Sequence, residues 1–239
     1  MCIRKFATIF MALAVFLGWL RNIDAADLAA TPPNSIQDLY GDEIRFDVYR
    51  AGEKVGFHRV SFESDERGLS VDTVFEIEID FLFFTAYRFA YQSRSLWIDG
   101  KLSEIEADVD DDGTPFRLNA TADGNGFTVE SSNGTVRAET PLFPTNHWNA
   151  AVLGQERVLN TLTGQVNNVA ITPVDRVRVE TERGDISATH FLYSGDLDTE
   201  VWYDDDGRWV KMRFKARDGS TIDYVCRLCQ GPARDRAEQ

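Results

Sequence analysis

The sequence predicts an all-β protein: a single strongly curved antiparallel meander, shaped as a β-roll, half-barrel or open barrel, with one short helix near residues 146–153. Three observations carry this expectation. Apolar and polar residues alternate with period two from Glu43 onward, the pattern of strands with one face in a core and one in water. Turn signals recur at short spacing, as "DGK", "DDDGTP", "DGNG", "SNG", "RGD" and "DDDG". Only "TNHWNAAVLGQ" has helical spacing, with Trp148, Ala151 and Val152 at i, i+3 and i+4. About a dozen strands joined by local hairpins form a sheet that must curl, split or close.

The chain begins with a different kind of segment. Arg4 and Lys5 precede an uncharged apolar run from Phe6 to Leu20, followed by Arg21 and small residues. That is the layout of a secretory signal peptide, with cleavage expected after Ala25. The run is short for a membrane span, which needs roughly 20 residues. Residues 26–42 carry Pro32-Pro33 and no periodicity, and so read as a flexible leader. A single β-roll domain is expected over 43–226, and a tail over 227–239. The net charge is −14; residues 1–25 contribute +2, so the exported remainder carries −16. Such a surface repels phosphate backbones and argues against nucleic acid as a partner.

Within the domain, "EIRFDVYR" alternates with Ile44, Phe46 and Val48 on one face, and "VGFHRVSFE" returns after Gly52. In "LSVDTVFEIEIDF" the inward series is Val71, Thr73, Phe75, Ile77, Ile79 and Phe81, against outward Ser70, Asp72, Glu76, Glu78 and Asp80. "FLFF" follows and is apolar on both faces: Leu82 and Phe84 continue the acidic face. The next strand carries Tyr87, Phe89, Tyr91 and Trp97. Thr145 or Asn146 is placed to cap the helical stretch and Gly154 to end it. Trp148 is then its anchor on the sheet, with His147 and Asn149 at the rim. In "GDLDTEVWYDDDGRWVKMRFKARDG", a loop at Asp204–Gly207 pairs Tyr203 with Arg208, Trp202 with Trp209, Glu200 with Lys211 and Asp198 with Arg213. Apolar residues meet on the other face, Val201 on Val210 and Thr199 on Met212. A one-residue slip would set charge against apolar side chains. Trp202 and Trp209 therefore fall on the charged face.

Chemistry-bearing patterns are sparse. Asp108, Asp110, Asp112 and Gly113 begin like a calcium loop, but Asn119 stands where a bidentate Glu belongs and Pro115 intrudes; an Asp-Gly hairpin turn is expected, and no metal. There is no Gly-x-Ser-x-Gly, and His58, His147 and His190 are scattered without metal-ligand spacing. Cys226 and Cys229, in "CRLC", are read as a disulfide in an exported chain, which requires a turn between them. Neither a βαβ context for redox work nor a second ligand pair for zinc accompanies them.

"FDVYRAGEKVGFHRVSF", "PTNHWNAAVL" followed by "LNTLTG", and "GDLDTEVWYDDDGRWVKMRFKARDGSTIDY" together resemble a family of exported Gram-negative bacterial proteins known only as a domain of unknown function. The resemblance spans about Glu43 to Cys226. It implies a curved antiparallel β-roll in the cell envelope, here the periplasm, and carries no catalytic residues over. Taken together, these readings predict a non-catalytic, cofactor-free envelope protein. It would bind an apolar or amphipathic ligand (a lipid or glycolipid) or a protein partner on the curved sheet. His147, Trp148, Asn149, Leu82, Phe84, Trp202 and Trp209 are the candidate contacts. The alternatives are a hydrolase or isomerase acting on an envelope polymer, with His147 and nearby carboxylates as acid and base, and a purely structural interaction module.

Overall fold

The structure is a computed structural model that describes residues 36–81 and 84–231. The expected signal peptide lies outside the described residues. A one-turn helix α1 (Ile36–Tyr40) leads into strands β1 (Glu43–Arg50), β2 (Glu53–Asp65), β3 (Gly68–Phe81), β4 (Phe84–Ile98), β5 (Lys101–Asp111), β6 (Thr114–Ala122), β7 (Phe127–Ser131) and β8 (Gly134–Ala138). A non-strand segment with a 3-10 turn (Ala150–Gly154) follows. The chain resumes with β9 (Arg157–Leu159), β10 (Val166–Thr181), β11 (Gly184–Gly195), β12 (Thr199–Asp204), β13 (Trp209–Lys215) and β14 (Thr221–Leu228).

All fourteen strands form one antiparallel sheet, ordered β8-β7-β6-β5-β4-β3-β2-β1-β14-β13-β12-β11-β10-β9. Each half is a run of hairpins, and the halves join where β1 pairs with β14. The local turns follow from residue chemistry. Ala51-Gly52, Asp99-Gly100 and Asp112-Gly113 all have positive φ, the two-residue hairpin geometry that matches strand twist. The last of these settles the acidic run: Asp110 Oδ1 accepts from Gly113 N at 2.7 Å, and Asp108 pairs with Arg117. Gly56 sits where a Cβ would lie 1.9 Å from the Glu76 carbonyl oxygen, so β2 and β3 approach closely only because it is glycine.

The sheet curls without closing. The segment between β8 and β10 spans the gap between its edges. Thr145 N donates to Leu159 O and Leu159 N to Phe143 O, which covers the outer edge of β9. Asn133 Nδ2 donates to Thr163 O, and Arg157 pairs with Glu139. The inward parity read from β1 and β3 holds: Ile44, Phe46, Val48 and Val71 are fully buried.

Several boundaries differ from the sequence expectation. The leader ends earlier than residue 42, because Ile36, Leu39 and Tyr40 are buried and α1 plugs one end of the roll. Tyr40 OH donates to Trp148 O and accepts from Trp209 N. The tail begins later than residue 227: β14 runs to Leu228, and Gly231 N donates to Leu39 O. A helix capped by Thr145 or Asn146 does not form. His147 has φ 55°, outside right-handed helical space, so the turn starts at Asn149, whose side chain accepts from Ala151 N.

The β12–β13 register also differs. Trp202 faces Lys211, Val201 faces Met212 and Glu200 faces Arg213, with a bulge beside Tyr203, which faces Trp209. Beyond the bulge the pairing is displaced by two residues. A two-residue displacement preserves which side chains share a face, so alternation alone could not detect it.

Candidate functional site

The structure distributes the sequence-predicted contacts unequally. Trp148 is 1% exposed and packs edge-on against Phe62 and Trp97, at 5.5 and 5.0 Å between ring centroids. His147 and Asn149 are buried with it and do not lie on a rim. The left-handed backbone at His147 turns its ring inward, against Tyr193 and Trp209. Tyr203 OH donates to the His147 carbonyl at 2.6 Å. Asn149 is occupied as the cap. Leu82 lies outside the described residues, and Phe84 forms the backbone pair with Phe81 that ends the β3–β4 ladder.

The two hairpin tryptophans separate. The bulge rotates Trp209 into the interior, where it is fully buried against Phe46 and His58. Trp202 stays on the outer face but is covered. His190 stacks on it at 4.4 Å, and Lys211 lies over it at 4.9 Å. Neither tryptophan presents a free surface. Cys226 and Cys229 form a disulfide with Cα atoms 5.9 Å apart. Glu182, from the β10–β11 turn, accepts from Cys229 N and Gln230 N beside it.

Several inward residues near one end of the roll are less covered than those at the other. At the end plugged by α1, inward residues are fully covered: Leu69, Val71, Trp97, Ala120 and Trp209. At the opposite end, which carries the turns after β1, β5 and β13, the inward residues Phe75, Ile79, Tyr87, Phe116, Met212 and Phe214 are only half-buried. This end is the mouth of the roll. Its rim is polar. Tyr87 OH donates to Asp111 Oδ1 at 2.9 Å, and Arg217 Nη1 meets Asp111 Oδ2 at 2.9 Å. β5 and the β13–β14 turn are far apart in strand order, so this ion pair spans the mouth. The Arg217 side chain is 93% exposed, and the pair contributes little to stability. Burial and the Asp111 carboxylate push the Tyr87 phenol up to about 12.

Below the mouth the interior holds two imidazoles. His58 Nδ1 lies 3.3 Å from Tyr224 OH, and the His58 ring stacks on Phe75. Burial lowers His58 to about 3, assisted by the nearby His147, and lowers His147 to about 4. Both are therefore neutral at neutral pH. His147 is ringed by aromatic groups, and no carboxylate is bonded to it among the described residues.

His58 and the mouth residues escaped the sequence-based selection of contacts. A signal for His58 existed: it shares the inward parity of Val60 and Phe62, as Thr73 shares that of Val71, and a polar residue in an apolar series marks an interior polar position.

Comparison with known proteins agrees with this architecture. The family described as "Domain of unknown function (DUF6134)" matches residues 46–227. The chain belongs to this family. DUF6134 is here an all-β fold, and a solved structure resembles it: the β-barrel-like protein of domain of unknown function DUF1849 from Brucella abortus. That match has a TM-score of 0.56 and 12% identity, covering 80% of this chain and 97% of that one. At such identity the likeness concerns the fold alone. A search of curated proteins gives no match. No helix among the described residues is long and apolar enough to cross a membrane.

Proposed function

We propose that this DUF6134 protein is an exported, non-catalytic binding protein of the bacterial envelope. In this reading it holds the apolar part of a lipid, glycolipid or other amphipathic molecule in the mouth of its roll. One observation carries the reading: the inward residues Phe75, Ile79, Tyr87, Phe116, Met212 and Phe214 cluster half-buried toward the mouth, while Val71, Trp97, Leu118, Ala120 and Trp209 on the same strands are buried. Concave apolar surfaces edged by a few polar groups are the usual form of ligand sites. Export is supported by the charged-then-apolar pattern of residues 1–25 and by the Cys226–Cys229 disulfide, a bond typical of oxidising compartments.

The test is native mass spectrometry of the full chain purified from the producing bacterium, followed by solvent extraction. A non-covalent adduct that releases an amphipathic compound is the expected result. A bare polypeptide mass with no extractable lipid contradicts the reading.

A further inference from the structure

Directly beneath the mouth, the apolar lining gives way to neutral polar atoms that lack partners. His58 Nε2, Thr73 Oγ1, Ser93 Oγ, Asn146 Nδ2, His147 Nδ1 and Tyr193 OH are all buried without a hydrogen bond. They belong to one layer. Thr73 and Ser93 face each other across β3 and β4. The His58 and His147 rings both pack on Trp209, at 5.3 and 5.7 Å, and Tyr193 meets His147 at 5.4 Å. Asn146 enters through Tyr91, the cross-strand neighbour of Phe75. Native interiors leave few polar atoms unpaired, and each one forgoes stability unless something bonds to it. Six in one layer form an acceptor and donor array that the chain does not complete by itself.

We propose that this layer receives the uncharged hydrogen-bonding end of the molecule whose apolar part fills the mouth: a neutral amphiphile such as a long-chain alcohol, ester or amide. This rests on the mouth reading above and adds the chemistry of the head group. The selectivity follows from what the layer lacks. Among the described residues Asp204 is the one buried carboxylate, and it lies at the β12–β13 turn, paired with Arg208. No lysine or arginine is fully buried there. A carboxylate, phosphate or ammonium brought to the layer would lose its hydration with no counter-charge to replace it. A hydroxyl or amide would instead bond to hydroxyls and to imidazoles that remain uncharged at neutral pH. Phe75, stacked on His58, stands between mouth and layer and must swing aside on entry.

The experiment uses the delipidated full chain with 15N-labelled histidine, titrated with decan-1-ol, decanoate and decylamine. Decanol should bind at least tenfold more tightly than either ion and shift the His58 and His147 imidazole resonances. Thr73→Val and Ser93→Ala should each weaken decanol several-fold without lowering the Tm, since each removes a hydroxyl that has no partner in the empty fold. Equal binding of the three, or binding without imidazole shifts, overturns the head-group assignment while leaving the mouth reading intact. A lowered Tm in Thr73→Val with unchanged decanol affinity means that water alone completes the layer, and also overturns it. Binding of none of the three overturns both.

Discussion

His147 illustrates how one residue can be noticed for the wrong reason. Its position among polar residues in "FPTNHWNA" suggested a rim. Its positive φ and its burial instead make it part of the interior beside His58. Two imidazoles held near 3 and 4 against an unfolded value near 6.5 fix the sign of a pH effect. Above pH 6.5 both states are neutral and nothing is at stake. As the pH falls below 6.5, the unfolded chain takes up protons that the folded chain refuses, so stability is lost. The loss approaches about 1.4 kcal/mol per pH unit for each imidazole. Asp123 and Asp218, held near 2 by Arg137 and by Ser220 with Arg50, titrate below this window. The His58 and His147 imidazole resonances of the folded protein should stay in the neutral position down to pH 5 while urea stability falls. Titration of His58 or His147 near 6.5 in the folded state would refute the burial account. At Trp148 the expectation is simpler. Truncation to alanine empties the contact with Phe62 and Trp97, and should cost about 3–5 kcal/mol in chemical denaturation.

At the scale of elements, the β12–β13 turn ties the roll to its plug. Asp204 Oδ1 accepts from Asp206 N and Arg208 N, while Arg208 pairs with Asp204 and donates Nε to Leu39 O of α1. Asp204→Ala removes the acceptor of Asp206 N and Arg208 N and leaves Arg208 with the exposed Asp206 carboxylate alone, a loss of about 1–3 kcal/mol. It should also speed amide exchange in α1. A normal exchange rate there would show that the helix is held by other contacts. This turn also marks where sequence reading stopped. Alternation in "TEVWY" and "WVKMRF" paired Lys211 with Glu200 and Arg213 with Asp198 and placed Trp209 on the charged face, whereas Lys211 and Arg213 lie opposite Trp202 and Glu200 and Trp209 is buried. It could not locate the bulge, because the bulge depends on Tyr203 and Trp209 both reaching the core, a tertiary demand. α1 was missed for a related reason. Five residues carry no readable period, and the helix exists because Ile36, Leu39 and Tyr40 fill the end of the roll.

For the whole molecule, the fold class was legible because each hairpin is local and its parity shows in a short window. The site was not, because its gradient of burial arises only when distant strands such as β3 and β13 curve toward one another. The central claim is that the mouth is where this DUF6134 protein binds. It is tested most directly by titrating the delipidated protein with the uncharged fluorophore N-phenyl-1-naphthylamine, alongside Phe214→Asp at the mouth and Leu192→Asp, 41% exposed on the outer face. The account predicts saturable binding of about one probe per chain, weakened at least tenfold by Phe214→Asp and unchanged by Leu192→Asp. Binding that is absent, or indifferent to Phe214→Asp, would contradict it.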